Sequence, residues 1–210
     1  SWSSAPQTAI IFGLKELPND DSKLHHRHIM FGHAYKGQRS GLSLLQRLKE
    51  GGGILYDLEH LVDSAGRRVA AFGYWAGFAG AAISVLCWIA QQNGSACPPI
   101  ASYSHQKALT NELSQAIAAL DVPLPNAIVI GALGRVGTGA ADLCAELGIP
   151  VTKWDIAETA SGGPFPEIIA HNLFFNCILA RPGTPVFASH DIVKRDRALR
   201  VIGDIACDPD

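Results

Sequence analysis

Apolar positions in this chain fall into short unbroken runs and helical-period stretches that alternate from one end to the other. Residues 8–13 (Thr-Ala-Ile-Ile-Phe-Gly) predict a buried strand, with Lys15-Glu16-Leu17-Pro18 as its exit loop. Residues 28–33 predict a second short strand that ends in a histidine, His33. Leu42, Leu44, Leu45 and Leu48 give residues 40–50 a helical period; Gly51-Gly52-Gly53 stops that helix, and residues 54–57 open a third strand. After a turn at Asp63-Ser64-Ala65-Gly66, residues 69–92 predict a long apolar helix and residues 106–120 an amphipathic one. Further strands are predicted at 127–130, 151–155, 173–179 and 200–206, with short helical stretches at 167–171 and 192–199. Strands alternating with helices predict an α/β protein with parallel sheets.

The densest signal is the segment from Pro125 to Ala140. An apolar strand runs into Gly131, and Gly134 and Gly137 follow at three-residue spacing before the helical pattern Ala140, Ala141, Leu143, Cys144, Leu147. This is the order strand, phosphate-binding turn, helix. Gly131 permits the tight turn, Gly134 lets a pyrophosphate approach the backbone, and Gly137 lets the helix pack on the strand. The helix N-terminus adds free N–H groups and partial positive charge. The spacing is G-x-x-G-x-x-G rather than G-x-G-x-x-G. The next apolar segment ends in Asp155, 18 residues after Gly137, where an adenosine ribose is bound in such folds; an acid there favours NAD over NADP. No Gly-Lys-Ser/Thr follows the loop, which argues against a Walker-type site. The expectation is two Rossmann-like domains with parallel sheets joined by the long apolar helix: residues 1–68 as part of a substrate and catalytic domain, and residues 69–210 as that helix with an NAD-binding domain.

Composition refines this picture. The chain has 210 residues, 48% hydrophobic and 17% charged, with net charge −2 and dispersed Lys and Arg, so it can bury a core and shows no basic footprint for nucleic acid. Its five cysteines form no C-x-x-C pair, which suits a reducing compartment and predicts a cytoplasmic protein. Residues 69–90 run 22 residues without a charge and contain Gly73-x-x-x-Gly77. That length can span a bilayer, but so many of its residues are Ala and Gly that a buried helix is the expectation, with no membrane partner. His25, His26 and His28 are read as partly exposed histidines, and no metal is expected. The chain lacks an initiating Met and begins and stops beside apolar strands, so both domains are expected to be incomplete pieces of a longer protein.

Several further segments carry a resemblance. Gly13-Leu14-Lys15-Glu16-Leu17-Pro18, the run from His28 to Gln38, Leu55-Tyr56-Asp57-Leu58-Glu59 and the run from Gly66 to Gly73 resemble the NAD-dependent, lysine-forming saccharopine dehydrogenases. So do Gly131-Ala132-Leu133-Gly134-Arg135, Lys153-Trp154-Asp155-Ile156, the run from Glu158 to Phe165, and Asn176-Cys177-Ile178. The similarity extends along nearly the whole chain; alanine dehydrogenases and transhydrogenase domains are broader relatives.

The resemblance implies interconversion of saccharopine with L-lysine and 2-oxoglutarate through an imine, with hydride passing to NAD, in lysine biosynthesis. It implies Lys15 and His33 as the proton-handling pair. Both close apolar strands, where α/β sites assemble; a partly desolvated lysine can act as a base, and a histidine can pass protons near neutrality. By the same resemblance Gln38, Arg68 and Phe72 contact substrate, with Ala206, Cys207 and Asp208 as a substrate-side loop. Arg67, Gly134, Arg135, Asp155, Thr159 and Ile205 contact cofactor, beside Gly131 and Gly137 of the turn. Two positions depart from the fungal pattern. Leu179 replaces a cofactor-contacting Tyr, and Val136 replaces a Cys, so the disulfide of some members cannot form with Cys177. Family members also carry substrate-binding and domain-completing segments on either side of this region, so the 210 residues alone are expected to be inactive or nearly so. Two other readings stay open: an alanine-dehydrogenase-type enzyme acting on a simpler imine, and a catalytically silent NAD-binding module. Oligomerisation is possible.

Overall fold

The computed structural model describes the chain except for residues 16, 19, 36–38, 181–182 and 207–210. It divides into two compact units, Ser1–Ala71 and Phe72–Asp210, each α/β with one wholly parallel sheet.

In the first unit β1 (Ile10–Lys15), β2 (Arg27–Phe31) and β3 (Ile54–Asp57) lie in the order β1-β2-β3, and α1 (Arg39–Gly51) makes the crossover from β2 to β3. Leu24, Met30, Phe31, Ala34 and Leu48 form its buried apolar positions. The opposite sheet face is bare among the unit's own described residues. Ile10, Phe12 and Leu14 on β1 and Ile54 and Tyr56 on β3 are exposed, in register rows that run through Arg27 and Ile29. The expectation of a buried first strand is therefore corrected: β1 starts at Ile10, and its outward residues meet water, Phe12 at 76% exposure. A second correction concerns the histidines. His26 and His28 are buried, because the alternation of β2 sends them to the covered face, with the Trp2 ring edge-on to both. His26 Nε2 contacts the Ala5 carbonyl at 3.1 Å, whereas neither ring nitrogen of His28 has a hydrogen-bond partner among the described residues. Burial, then the charges of His26 and Arg47, push the His28 pKa down.

In the second unit β4 (Ala127–Ile130), β5 (Val151–Trp154), β6 (Leu173–Asn176) and β7 (Val201–Asp204) form a sheet in the order β5-β4-β6-β7. All four residues of β4 are buried, because the strand is central and both of its faces are covered. Ala127 and Val129 face a core that includes α2 (Gly73–Gln92), α3 (Gln106–Ala118) and α4 (Arg135–Glu146). Ile128 and Ile130 face a smaller core built with Phe165, Ile168, Phe174 and Leu199. The short helices are α5 (Ile156–Thr159), α6 (Pro166–Ala170) and α7 (His190–Val193).

α2 is shorter than the predicted 69–92. The Val69 amide bonds the Leu61 carbonyl after the Asp63 turn, which holds residues 69–72 out of the helix. The predicted helix at 192–199 is only α7: the amides of Ala198 and Leu199 go to the Ile169 carbonyl, and the Arg197 side chain bonds the Val193 carbonyl. Among the described residues, α2 is the one helix long and apolar enough to cross a membrane, and half of that apolar window is buried in the fold. It crosses α4 at backbone contact. A Cβ at Gly77 would fall on the Val136 carbonyl, and one at Gly139 on the Tyr74 carbonyl. The Tyr74 hydroxyl donates to Asp142 at 3.0 Å across the same contact.

Two outcomes follow. Gly77→Ala and Gly139→Ala should each lower the stability of the second unit by about 1–3 kcal/mol, read by thermal circular dichroism, while the exposed-site control Ala79→Ser should stay within about 0.5 kcal/mol. For His28, the unfolded chain takes up the proton more readily than the folded one, since the folded pKa is lowered. Stability is therefore complete above about pH 6.5 and erodes as pH falls below it. Urea midpoints followed through Trp2, the first unit's one tryptophan, should drop from about pH 7.5 to about pH 5. His28→Phe should reduce that drop; an unchanged pH profile in the variant would remove His28 as its source.

Candidate functional site

The carboxyl ends of the first unit's three strands meet at one sheet edge. Lys15 is the last residue of β1 and pairs with Phe31, the last of β2; His33 lies two residues beyond Phe31. A bulge between Phe12 and Lys15 shifts the end of β1 along its neighbour. β3 ends at Asp57, whose Oδ1 accepts the amide of Gly32 at 3.2 Å and that of Glu59 at 3.0 Å. Asp57 thus ties the chain just before His33 to the short 3-10 turn Leu58–His60 that carries Glu59. His33 itself takes φ 47, a conformation costly for a residue with a Cβ. Its Nδ1 lies 3.3 Å from Glu59 Oε2, an ion-pair contact without hydrogen-bond alignment, and its Nε2 is buried with no hydrogen-bond partner among the described residues. The Glu59 side chain is 7% exposed, and its Oε1 receives the Arg68 guanidinium at 3.3 Å. The Arg68 guanidinium also lies 6.0 Å from the centre of the Phe31 ring.

The structure therefore gathers Lys15, His33 and Arg68 with two acids, Asp57 and Glu59, that sequence reasoning did not assign. For Asp57 a sequence signal was present, since it closes the apolar run 54–57 as Lys15 closes β1; Glu59 lies two residues beyond it and is revealed only by the meeting of the strand ends. Lys15 is exposed, so the first unit by itself does not supply the burial foreseen for a catalytic amine. Arg68, read as a substrate contact, pairs with Glu59 and keeps 43% of its side chain open to solvent. Arg67 is 80% exposed and bonds Asp63 at 2.9 Å. Gln38, Cys207 and Asp208 lie outside the described residues. Phe72, exposed ahead of α2, and Ala206, half-buried after β7, belong to the second unit.

The second unit carries the glycine loop. Gly131 leaves β4 at φ 84, and a Cβ there would strike Ile178 and the Cys177 backbone. A Cβ at Gly137 would fall on the Gly131 carbonyl, so the first turn of α4 rests on the strand end. Gly134 is the exposed N-cap of α4 and brings no side-chain cap; Arg135 follows it at the first helical position. A twelve-residue helix with no side-chain cap, opening on a glycine-rich loop, fits an anionic pyrophosphate. Asp155 closes β5. Its Oδ2 accepts the amide of Leu133 in the glycine loop at 2.9 Å, and its Oδ1 accepts the amide of Ile156. Glu158 returns a bond to the Asp155 amide at 2.7 Å, completing a capping box, and the Thr159 hydroxyl bonds the Asp155 carbonyl. Each carboxylate oxygen has a second lone pair, so Asp155 can brace the loop and still accept from a ribose hydroxyl. Ile205 packs against α2 at Gly80, with its amide on the Asn176 carbonyl.

The chain is 46% identical over 219 residues to a Schizosaccharomyces pombe protein named saccharopine dehydrogenase [NAD(+), L-lysine-forming]. It is 44% identical to proteins of that name from Candida albicans over 229 residues and from Candida glabrata over 219. Each match covers 99% of this chain, and the chain spans about 60% of the length of these relatives. No family model matches the chain.

Asp155→Ala removes the capping carboxylate and the brace on Leu133 together. It should lower the stability of the second unit by about 1 kcal/mol in urea unfolding and expose the Leu133 amide to faster hydrogen exchange. Unchanged exchange at Leu133 would count against the brace.

Proposed function

We propose that this chain carries the proton-transfer pair and the cofactor loop of an NAD-dependent oxidoreductase that interconverts saccharopine with L-lysine and 2-oxoglutarate. The observation that carries the reading is the convergence of Lys15 and His33 at adjoining strand ends, in a chain 44–46% identical across 99% of its length to enzymes of that name. When bound, NAD supplies a hydride acceptor; the rest falls to the chain's own residues. Saccharopine oxidation must remove a proton from a secondary amine, add water to the resulting imine and expel lysine as the leaving amine. Lys15 and His33 are the groups we assign to those proton movements, since both stand at the sheet edge and His33 Nε2 has no hydrogen-bond partner among the described residues. Asp57 and Glu59 position His33 from below. Arg68, with Gln38 and Phe72, is assigned to the substrate's carboxylates and stem, as are Ala206, Cys207 and Asp208 to the substrate-side loop. Arg67, Gly131, Gly134, Arg135, Gly137, Asp155, Thr159 and Ile205 are assigned to the cofactor. The proton-transfer pair thereby falls in the first unit, and all the cofactor assignments except Arg67 fall in the second. The free thiols at Cys87, Cys97, Cys144 and Cys177 support a cytoplasmic, reducing setting.

The test is NADH oxidation by the full-length gene product carrying these residues, with lysine plus 2-oxoglutarate and in parallel with pyruvate plus ammonia. Lysine-dependent oxidation is expected, with Lys15→Met and His33→Gln each reducing kcat by about 10²–10⁴. Glu59→Gln should lower kcat less than His33→Gln does, since it removes a positioning contact and leaves the imidazole in place. Activity only with pyruvate and ammonia would move the protein to the alanine-dehydrogenase type. Silence in both assays with NAD still bound would leave a nucleotide-binding module.

A further inference from the structure

We infer that Asp204, held in place by Asn176, receives the hydroxyls of the cofactor's second ribose, the one that bears nicotinamide. The inference rests on the NAD reading above and adds a residue to it. β4 is flanked by β5 on one side and by β6 and then β7 on the other. The exits of β4 and β6 diverge. The chain after β4 enters α4 and the core shared with α2, whereas Ile178, Phe187 and Ala188 after β6 pack against the smaller core on the opposite face. Neighbouring parallel strands whose exits part in this way open a crevice at their carboxyl ends, and open α/β sheets hold ligands there. The glycine loop and the first turn of α4 offer that crevice to a pyrophosphate. Asp155, just past β5, is assigned to one ribose, so the other half of the dinucleotide falls to the ends of β6 and β7.

Those two ends carry a polar pair. Asn176 is the last residue of β6, Asp204 is the last of β7, and the two are register partners. Strand alternation puts both on the face of Phe174 and Ile202, opposite the face that α4 covers. Asn176 Nδ2 donates to Asp204 Oδ1 at 3.0 Å, and Asn176 Oδ1 accepts the amide of Ile178 at 3.4 Å. Ile178 is in turn the side chain that a Cβ at Gly131 would strike. Asn176 therefore ties the Asp204 carboxylate to the segment that borders the glycine loop. Asn176 is half-buried and Asp204 is exposed, so the amide orients and the acid meets solvent. A carboxylate has about four acceptor sites, and a vicinal diol presents two O–H donors on adjacent carbons. One carboxylate can thus accept from both hydroxyls while it keeps the bond from Asn176. Asp155 offers the same chemistry at the other end of the crevice. The pair belongs wholly to the second unit, and it acts in holding cofactor rather than in moving protons.

The test is calorimetric titration of the full-length gene product with NAD, ADP-ribose and ADP. ADP-ribose keeps the second ribose without nicotinamide, and ADP lacks both. Asp204→Ala removes hydrogen bonds to a charged acceptor, so it should weaken NAD and ADP-ribose by about 10–100-fold and leave ADP within about twofold. Asp204→Asn, which keeps the shape of the side chain, should weaken the same two ligands by less. The retained ADP affinity reports that each variant is still folded. A loss that extends equally to ADP would make Asp204 a structural residue. A loss confined to NAD would place the contact on the nicotinamide ring, and no loss with any ligand would remove Asp204 from the site. Each of these results overturns the inference while the NAD reading stands. Wild-type protein that binds neither NAD nor ADP would instead strike the NAD reading itself, and the inference with it.

Discussion

Two helices of the second unit approach closely enough for main chain to meet main chain, and the placement of the glycine loop depends on it. Gly77 of α2 abuts the Val136 carbonyl and Gly139 of α4 abuts the Tyr74 carbonyl, so each helix lends a glycine to the other's backbone. Val136 is the second residue of α4, one turn or less from Gly134 and Arg135. The contact therefore seats the end of α4 that faces the glycine loop, while Gly137 rests that same turn on the end of β4. Held on one side by a helix and on the other by a strand, the α4 amides keep a fixed direction, which is what anion binding at a helix end requires.

The first unit solves its positioning problem with polar anchors. Parallel strands deliver their carboxyl ends to one edge whatever their sequence, but the side chains there need holding. Asp57 does this by accepting two amides from separate segments, and Glu59 stands between His33 and Arg68. The strained φ of His33 persists because Gly32 before it is tethered. A lysine and a histidine at neighbouring strand ends can then exchange protons with a common molecule, while acids behind them set geometry.

Much of this was legible in the sequence, and the failures have physical causes. Strands and main helices were readable because apolar runs bounded by glycine mark strands, and the wholly buried β4 is the clearest of them. Boundaries failed where tertiary hydrogen bonds override local pattern: Leu61 takes the Val69 amide, and Ile169 takes those of Ala198 and Leu199. Burial failed where the partner layer could not be foreseen, so that Phe12 is exposed and His28 is not. Lys15 and His33 were visible as strand-end residues and through a family likeness. Glu59 was missed because an acid in a short turn has no periodic signature; only the meeting of three strand ends reveals it.

The open face of the first sheet has a consequence of a colloidal kind. Ile10, Phe12, Leu14, Ile54 and Tyr56 give the unit an oily plane flanked by strands whose outer edges are unpaired within the sheet. At net charge −2 the chain has little electrostatic repulsion to keep such planes apart. Its usable concentration in water is then governed less by how firmly each unit is folded than by how often two molecules present these planes to one another. Salt, which screens that small charge further, should work against solubility rather than for it.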